Sequence, residues 1–199
     1  MLIQAIVIIL YLSLFIELAF FHVPSVANTH IFFSSDQEKL LQYSKYQKIF
    51  LWSRGKKVML LVIPHLINMV VFFIPIYYLF FEQINCLGIV CSFGIIIAIG
   101  GRHITFYSMY YIRKNNSQLN NDFTLHDTGP FSRMRNPGMT GMILFFAGLT
   151  LIWPTFLMVC ALIYYFFYNH FRILVEEDFL KVMYKDKYCE YIKKANRYF

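Results

Sequence analysis

The chain has 199 residues, of which 58% are hydrophobic and only 15% are charged. Soluble domains carry about 45–50% apolar and about 25% charged residues, so this composition argues against a soluble domain, a disordered chain and a coiled coil. It predicts an integral membrane protein whose first partner is the lipid bilayer. The net charge of +7 suits the cytoplasmic loops of such a protein, and we expect no nucleic-acid binding.

Apolar runs divide the chain into five segments. The first run is long enough to cross about 30 Å of hydrocarbon. We interpret it as a retained helix, because it lacks the basic start of a signal peptide. The last two runs form a short hairpin, since fifteen residues reach only about 23 Å. In chain order the runs are Leu2–Phe21, Val58–Phe81, Cys86–Gly101, Met139–Trp153 and Thr155–Phe171.

The connections between these runs carry three further predictions. The pattern in Ile104–Ile112 predicts that the third helix continues beyond the bilayer. Pro154 predicts a tight turn inside the hairpin. Ser35 and Asp36 precede an apolar pattern up to residue 51, which predicts a capped amphipathic helix on the membrane surface, with a solvated connector as the alternative.

The basic residues predict the orientation. All 18 Lys and Arg lie in residues 22–57, in residues 102–138 or after Phe171. Because cytoplasmic loops are enriched in these residues, the N-terminus is expected outside and the C-terminus in the cytoplasm. The fold class is therefore an all-α, polytopic membrane helix bundle of about five transmembrane segments. Residues 1–199 are expected to form one membrane domain, with three spans and the cytoplasmic loop 22–57 in residues 1–112 and a C-terminal region in residues 113–199.

The cysteines give no ligand pattern. Cys86, Cys91, Cys160 and Cys189 form no C-x-x-C pair and no Cys/His group. We interpret them as small apolar fillers, and we expect neither a disulfide nor a metal site.

Polar residues are concentrated outside the spans, which argues against a transport path. Inside the spans, Glu17, His65 and Asn68 are the main polar side chains, and hydrogen bonding between helices is their more ordinary role. The dense polar stretches are residues 123–141 and 171–199. They flank the hairpin, so they can meet on one side of the membrane and form an interfacial site.

Each polar stretch has a functional and a structural interpretation. Arg135 stands before Asn136-Pro137, where it can face a ligand or reach lipid phosphates from a loop. Arg172 and Glu176 share a helix face at i and i+4, where they can bind a ligand or form an ion pair worth a few tenths of a kcal/mol.

Together these stretches resemble the C-terminal signature of the isoprenylcysteine carboxyl methyltransferase and phospholipid methyltransferase family. That pattern is Gly-x-Tyr, Arg-His-Pro-x-Tyr-x-Gly, a helical hairpin, Arg-x-x-x-Glu-Glu-x-x-Leu, Phe-Gly-x-x-Tyr-x-x-Tyr and a basic-aromatic tail. The matching residues are Gly129–Phe131, Arg135–Gly141, Arg172, Glu176, Glu177, Leu180, Tyr184, Lys185, Tyr188, Tyr191 and Arg197–Phe199.

The resemblance implies a methyltransferase facing the cytoplasm that uses S-adenosylmethionine on a lipidic or hydrophobic acceptor, such as a prenylcysteine-type carboxylate. It implies that residues 113–199 are the cofactor-binding catalytic region. It implies that Arg172 binds the acceptor and that Arg172 and Glu176 are the catalytic residues. It also implies that the cofactor is bound by Phe123, Thr124, Leu125, His126, Gly129, Phe131, Arg135, Asn136, Pro137, Gly138, Met139, Glu176 and Glu177.

The chain departs from the family pattern at five positions. Phe131 and Met139 replace Tyr, Asn136 replaces His, and Tyr184-Lys185 replaces Phe-Gly. An amine or thiol acceptor would have to lose a proton, and Glu177 and His126 are the nearby candidates to take it. Two alternatives stay open. One is an NADPH-dependent sterol- or enone-type reductase, and the other is a non-catalytic membrane scaffold with the same fold.

Overall fold

The computed structural model describes residues 2–17, 58–81, 88–118 and 125–199. These residues are mostly helical, and none of them lies in a named strand. The α-helices are α1 (Leu2–Glu17), α2 (Val58–Phe81), α3 (Gly88–Gln118), α4 (Pro137–Ile152) and α5 (Phe156–Lys194), and a 3₁₀ turn spans Gly129–Ser132.

The helices follow the apolar runs closely. Helix α2 has the predicted bounds, and α3 continues through the predicted extension to Gln118. Helices α4 and α5 meet at the predicted turn, where Thr155 caps α5 by accepting a hydrogen bond from the Met158 amide at 3.3 Å. The predicted surface helix up to residue 51 and the side chains of Glu17 and His65 lie outside the described residues.

Two of the described helices are long and apolar enough to cross a membrane. They are the segments Gly88–Asn115 of α3 and Phe156–Asp178 of α5. Shorter apolar helices occupy Leu2–Ile16, Val70–Phe81 and Pro137–Ile152. Helix α5 continues beyond the apolar run that ends at Phe171, as the helical spacing of Arg172 and Glu176 predicts, and it carries most of the second polar stretch.

Helices α3 and α4 make a glycine-mediated backbone contact. A Cβ on Gly101 would lie 2.4 Å from the Gly141 carbonyl oxygen, and one on Gly148 would lie 2.4 Å from that of Gly94. The two contacts repeat after seven residues on each helix, in opposite chain directions. We call this contact the glycine seam; only small residues allow helices to approach so closely.

The core surrounds this seam. Phe145, Leu149 and Ile152 of α4 are completely buried, and residues of α1, α2 and α5 pack against them in one cluster. Tyr11 of α1 donates a hydrogen bond to the Phe72 carbonyl of α2 at 3.4 Å. The core therefore fixes α4, from whose first residue the polar loop extends.

Helix α5 is interrupted at Lys185, whose φ of 44° and ψ of −120° are not helical. A positive φ is strained for a side chain with a Cβ and is easy for glycine. The family pattern has glycine at this position, and this backbone conformation explains that preference.

We therefore expect Lys185→Gly to raise the free energy of unfolding by about 1 kcal/mol, because it removes the strain at this break. Thermal unfolding of the purified protein in detergent is the measurement. Lys187→Gly is the matched control, since Lys187 is an exposed helical residue two positions further on. This control should lower the free energy of unfolding by about 1 kcal/mol. A loss of stability in both variants would contradict the assignment of strain.

The prediction that the cysteines form no disulfide is wrong. Cys91, near the start of α3, is disulfide-bonded, whereas Cys160 and Cys189 are free and exposed. A disulfide requires the Cα atoms of two cysteines to lie within about 6 Å of each other. The apolar residues around a cysteine in the sequence do not show whether this is so, and sequence alone could not detect the bond.

Candidate functional site

The polar loop before α4 approaches the end of α3 closely at a glycine. Gly129 has φ of +59°, and a Cβ there would lie 2.5 Å from the Tyr111 ring. The Tyr111 hydroxyl shares a short hydrogen bond with the Thr128 hydroxyl. Both observations explain why glycine occupies the start of the 3₁₀ turn, whether or not a ligand binds there.

Three aromatic rings cluster beside this turn. His126 lies 6.3 Å from Tyr111 and 5.9 Å from Phe131, measured between ring centroids. The Tyr191 hydroxyl of α5 fixes this turn by donating to the Phe131 carbonyl at 2.6 Å. Burial lowers the pKa of His126, against the opposing charge of Asp127. The neutral imidazole is therefore favoured, and the cluster offers an apolar, half-buried surface.

Asn136 precedes Pro137, the first residue of α4, and occupies the N-cap position without capping the helix. Its side-chain amide instead donates to Glu177 Oε1 at 3.5 Å and to the Arg197 carbonyl at 3.3 Å. The side chain thus points to α5 and to the residues that follow it.

Residues 195–199, which we call the C-terminal strap, return across the polar loop. Asn196 pairs with the loop on both sides of Met134: its carbonyl accepts from the Arg135 amide at 2.7 Å, and its own amide donates to the Arg133 carbonyl at 2.8 Å. Thr140 of α4 donates to the Tyr198 carbonyl at 3.2 Å. The strap therefore links the loop, α4 and α5.

Glu177 is the centre of the charged part of the site. Its side chain is only 3% exposed and contacts two arginines. Arg135 Nε lies 3.1 Å from Oε1, and Arg197 donates through Nε to Oε1 at 3.1 Å and through Nη2 to Oε2 at 2.8 Å. This carboxylate raises the pKa of the Arg197 guanidinium. We call these three side chains the Glu177 ion cluster.

Arg135 also donates hydrogen bonds to backbone carbonyl groups at the end of α5. Its Nη1 donates to the carbonyl of Ala195 at 2.6 Å and to that of Ile192 at 3.3 Å. The last carbonyls of a helix lack partners within the helix, and a cation there is favoured by the helix dipole. Arg135 is thus already engaged by protein groups on two sides.

Tyr188 is buried beside the Glu177 ion cluster, and its hydroxyl has no hydrogen-bond partner among the described residues. Burial, followed by the charge of Glu177, raises the pKa of this hydroxyl. Leaving such a group unsatisfied costs about 1–3 kcal/mol, which a bound ligand or water would recover.

The fold brings most of the predicted site residues to one end of the bundle. Leu125, His126, Gly129 and Phe131 lie around the aromatic rings, and Arg135, Asn136 and Glu177 lie in or beside the ion cluster. Pro137, Gly138 and Met139 form the first turn of α4, and Glu176 is exposed on α5. Phe123 and Thr124 and the side chain of Arg172 lie outside the described residues.

The resemblance includes Arg197 and Tyr198 but assigns them no role. Tyr111 and His170 were not predicted as site residues. Tyr198 and His170 share a short hydrogen bond between the phenol oxygen and Nδ1. Arg197 and Glu177 are 20 residues apart, and Asn136 and Arg197 are 61 apart. The basic-aromatic composition of the tail was the only signal that could have singled it out.

Comparison with known proteins identifies the family. The sequence profile described as phospholipid methyltransferase matches residues 83–187, a little over half of the 199-residue chain. The chain belongs to the phospholipid methyltransferase family. Its members are methyltransferases, so the predicted resemblance is confirmed. No curated protein and no solved structure matches the chain.

Membership in this family accounts for the membrane character of the chain. The match includes both polar stretches up to residue 187, and therefore the loop with Arg135 and Asn136 as well as Glu176 and Glu177. The C-terminal strap lies beyond it. Its contacts with the matched residues are thus seen only in the structure.

Proposed function

We propose that this family member is a multi-pass membrane enzyme that transfers a methyl group from S-adenosylmethionine to the amine of a phospholipid headgroup. The family description, phospholipid methyltransferase, favours this acceptor over a prenylcysteine-type carboxylate. The carboxylate is the alternative acceptor, and both belong to one lipidic substrate class that would reach the site from the bilayer.

One observation carries the proposal. The two motif segments that resemble the family signature are 42 residues apart, and they meet where Arg135 contacts Glu177 at 3.1 Å. They lie where α5 leaves its apolar segment at Asp178, so a polar cofactor and an apolar acceptor can reach one place.

The residues present fit S-adenosylmethionine. The rings of Tyr111, His126 and Phe131 provide an apolar surface for an adenine, and the exposed Glu176 provides a carboxylate for an ammonium or sulfonium. The buried Tyr188 hydroxyl, which has no partner among the described residues, can donate to a cofactor oxygen. Glu177 is held by Arg135 and Arg197, and we assign it to positioning.

When bound, the cofactor supplies a methyl group on a cationic sulfur. The protein's part in such a transfer is mainly alignment of the acceptor and exclusion of water. Glu176 holds the positive end of the cofactor, and the Glu177 ion cluster keeps the loop and α5 in register. Arg172 is the proposed contact for the anionic part of the acceptor, as a guanidinium suits phosphate or carboxylate.

We further propose five spans, an outside N-terminus and a cytoplasmic site. Two features of α3 support this orientation. Cys91 near its start is disulfide-bonded, which suits an oxidising exterior. Arg113 and Lys114 lie near its other end, which suits the cytoplasmic side.

Calorimetric titration of S-adenosylmethionine into the purified protein tests the proposal. We expect Glu176→Ala to weaken binding about 10–100-fold, because a charged hydrogen bond contributes about 1.5–3 kcal/mol. Glu190→Ala is the matched control, since Glu190 is also an exposed residue of α5, and it should bind like wild type. Equal affinity in all three proteins would remove Glu176 from the site.

A non-catalytic scaffold is the second candidate, and one observation favours it. Asn136 and Glu177 are already engaged by Arg197 and its carbonyl, so the strap occupies groups that a cofactor would use. The scaffold predicts that folded wild-type protein binds no S-adenosylmethionine, whereas the enzyme predicts binding and transfer to phosphatidylethanolamine in nanodiscs.

A further inference from the structure

A histidine lies in the apolar segment of α5 that is long enough to cross a membrane, close to the candidate site. His170 belongs to the apolar segment Phe156–Asp178 and precedes Glu177 by seven residues. Seven residues make nearly two turns, so both side chains share one helix face about 10 Å apart. Ionisable residues inside spans are costly and are commonly functional.

The C-terminal strap connects this histidine to the site. Arg197 of the strap pairs with Glu177, and the next residue, Tyr198, bonds His170 Nδ1 through its hydroxyl. The Tyr198 ring also stacks on the imidazole, with centroids 5.9 Å apart, and Phe166 packs against it at the same distance. The imidazole is therefore held in one orientation, about two turns of α5 from Glu177.

This arrangement leaves Nε2 available. The other ring nitrogen, Nδ1, is the one bonded to Tyr198, and Nε2 bonds no described residue. When the Nδ1 proton is donated to the Tyr198 oxygen, Nε2 carries a lone pair that can accept a proton. The proposed amine acceptor needs such a group, because an ammonium has no lone pair with which to attack carbon.

The two proton acceptors expected from sequence are less suited. Glu177 is bound by two arginines, which hold it in the ionised form and occupy both oxygens. His126 lies on the loop among Tyr111 and Phe131, where we place the cofactor's adenine. His170 lies on the membrane side, from which a lipid headgroup would arrive.

We propose that His170 is the base that deprotonates the acceptor ammonium, and that Tyr198 is the residue that positions it; this inference rests on the proposed function. Nε2 takes the proton from the ammonium, and the nitrogen lone pair forms the new nitrogen–carbon bond. The sulfur–carbon bond breaks and its electron pair stays on sulfur, which becomes an uncharged thioether. The methylated product leaves as an ammonium, and the proton on His170 returns to solvent.

Few charged or titratable groups lie near His170 in the part of the chain that the structure describes. Tyr198 of the strap is the titratable side chain in contact with it. Arg197 is the neighbour of Tyr198 in the strap. Its positive charge is compensated by Glu177, which lies two turns from His170 on α5. Helix α4 contributes the uncharged Thr140 beside Tyr198.

The test uses the purified full chain in nanodiscs that contain phosphatidylethanolamine. Single-turnover methyl transfer is measured between about pH 6 and pH 9, where a histidine titrates. We expect His170→Gln to lose about 10²–10⁴-fold in rate and to lose the acidic limb of the profile, while its calorimetric affinity for S-adenosylmethionine stays within about threefold of wild type. Added imidazole should restore part of the rate of His170→Ala.

His103→Gln is the matched control, because His103 is an exposed histidine of α3 that stacks on Tyr107.

Tyr198→Phe keeps the ring and removes the hydroxyl, and it should shift the acidic limb and lower the rate about tenfold. A His170→Gln rate within threefold of wild type, or no effect of Tyr198→Phe on the profile, overturns the inference alone. A folded wild type that binds no cofactor overturns the proposed function and this inference with it.

Discussion

Replacing Glu177 by alanine is expected to destabilise the protein by about 3–5 kcal/mol, because it leaves the buried Arg135 guanidinium without its counter-charge. The side chains of Glu177 and Arg135 are only 3% and 9% exposed. Loss of the carboxylate would also release the Arg197 side chain and so remove one of the contacts that hold the C-terminal strap. The measurement is thermal unfolding in detergent, with the strap followed by proteolysis.

Glu176→Ala is the matched control for this experiment. Glu176 is the adjacent residue on α5 and is exposed, so its loss should cost less than about 1 kcal/mol. The two neighbours are thus expected to behave in opposite ways, with Glu176→Ala impairing cofactor binding and Glu177→Ala impairing stability. If Glu177→Ala unfolds at the wild-type temperature, the ion cluster does not stabilise this end of the bundle.

Gly101→Ala is expected to be the second severe substitution. The added Cβ would lie 2.4 Å from the Gly141 carbonyl oxygen and 2.5 Å from the Phe145 amide nitrogen. Both atoms are backbone and cannot move aside as the end of a side chain can. We expect a loss of about 1–3 kcal/mol, together with weaker cofactor binding because α4 carries the loop.

Gly100 provides the control within the same helix turn. A Cβ on Gly100 would meet nothing within 4 Å, and alanine is the better helix former by about 1 kcal/mol. Gly100→Ala should therefore unfold at or above the wild-type temperature. Equal melting temperatures for the two alanine variants would show that α3 and α4 are not in backbone contact.

The helices could be predicted from sequence because a membrane span depends on a local property, the length of an apolar run. Val58–Phe81 was obtained with its observed bounds for this reason. Helix beyond Phe171 was expected from the i and i+4 spacing of Arg172 and Glu176, but its extent to Lys194 was not. That last part is fixed by packing of Tyr188 and Tyr191 against the loop, which no local pattern shows.

The site could be predicted only as a set of residue types. The resemblance named Arg135, Asn136 and Glu177, and the structure brings them together. It could not show that Arg197 is their partner, since that contact depends on how the strap crosses the loop. The bond between His170 and Tyr198 was missed for the same reason, because neither residue belongs to a local pattern that marks a pair.

The glycine seam has a consequence for how the chain tolerates variation. Gly94, Gly101, Gly141 and Gly148 carry no chemical group, yet a Cβ on any of them would fall within 2.4–2.7 Å of a neighbouring atom. In a saturation mutagenesis screen scored by activity, these positions should rank with the residues that contact substrate. A map of intolerant positions would then point to the contact between α3 and α4 as strongly as to the site, and only a parallel measurement of protein abundance would separate the two.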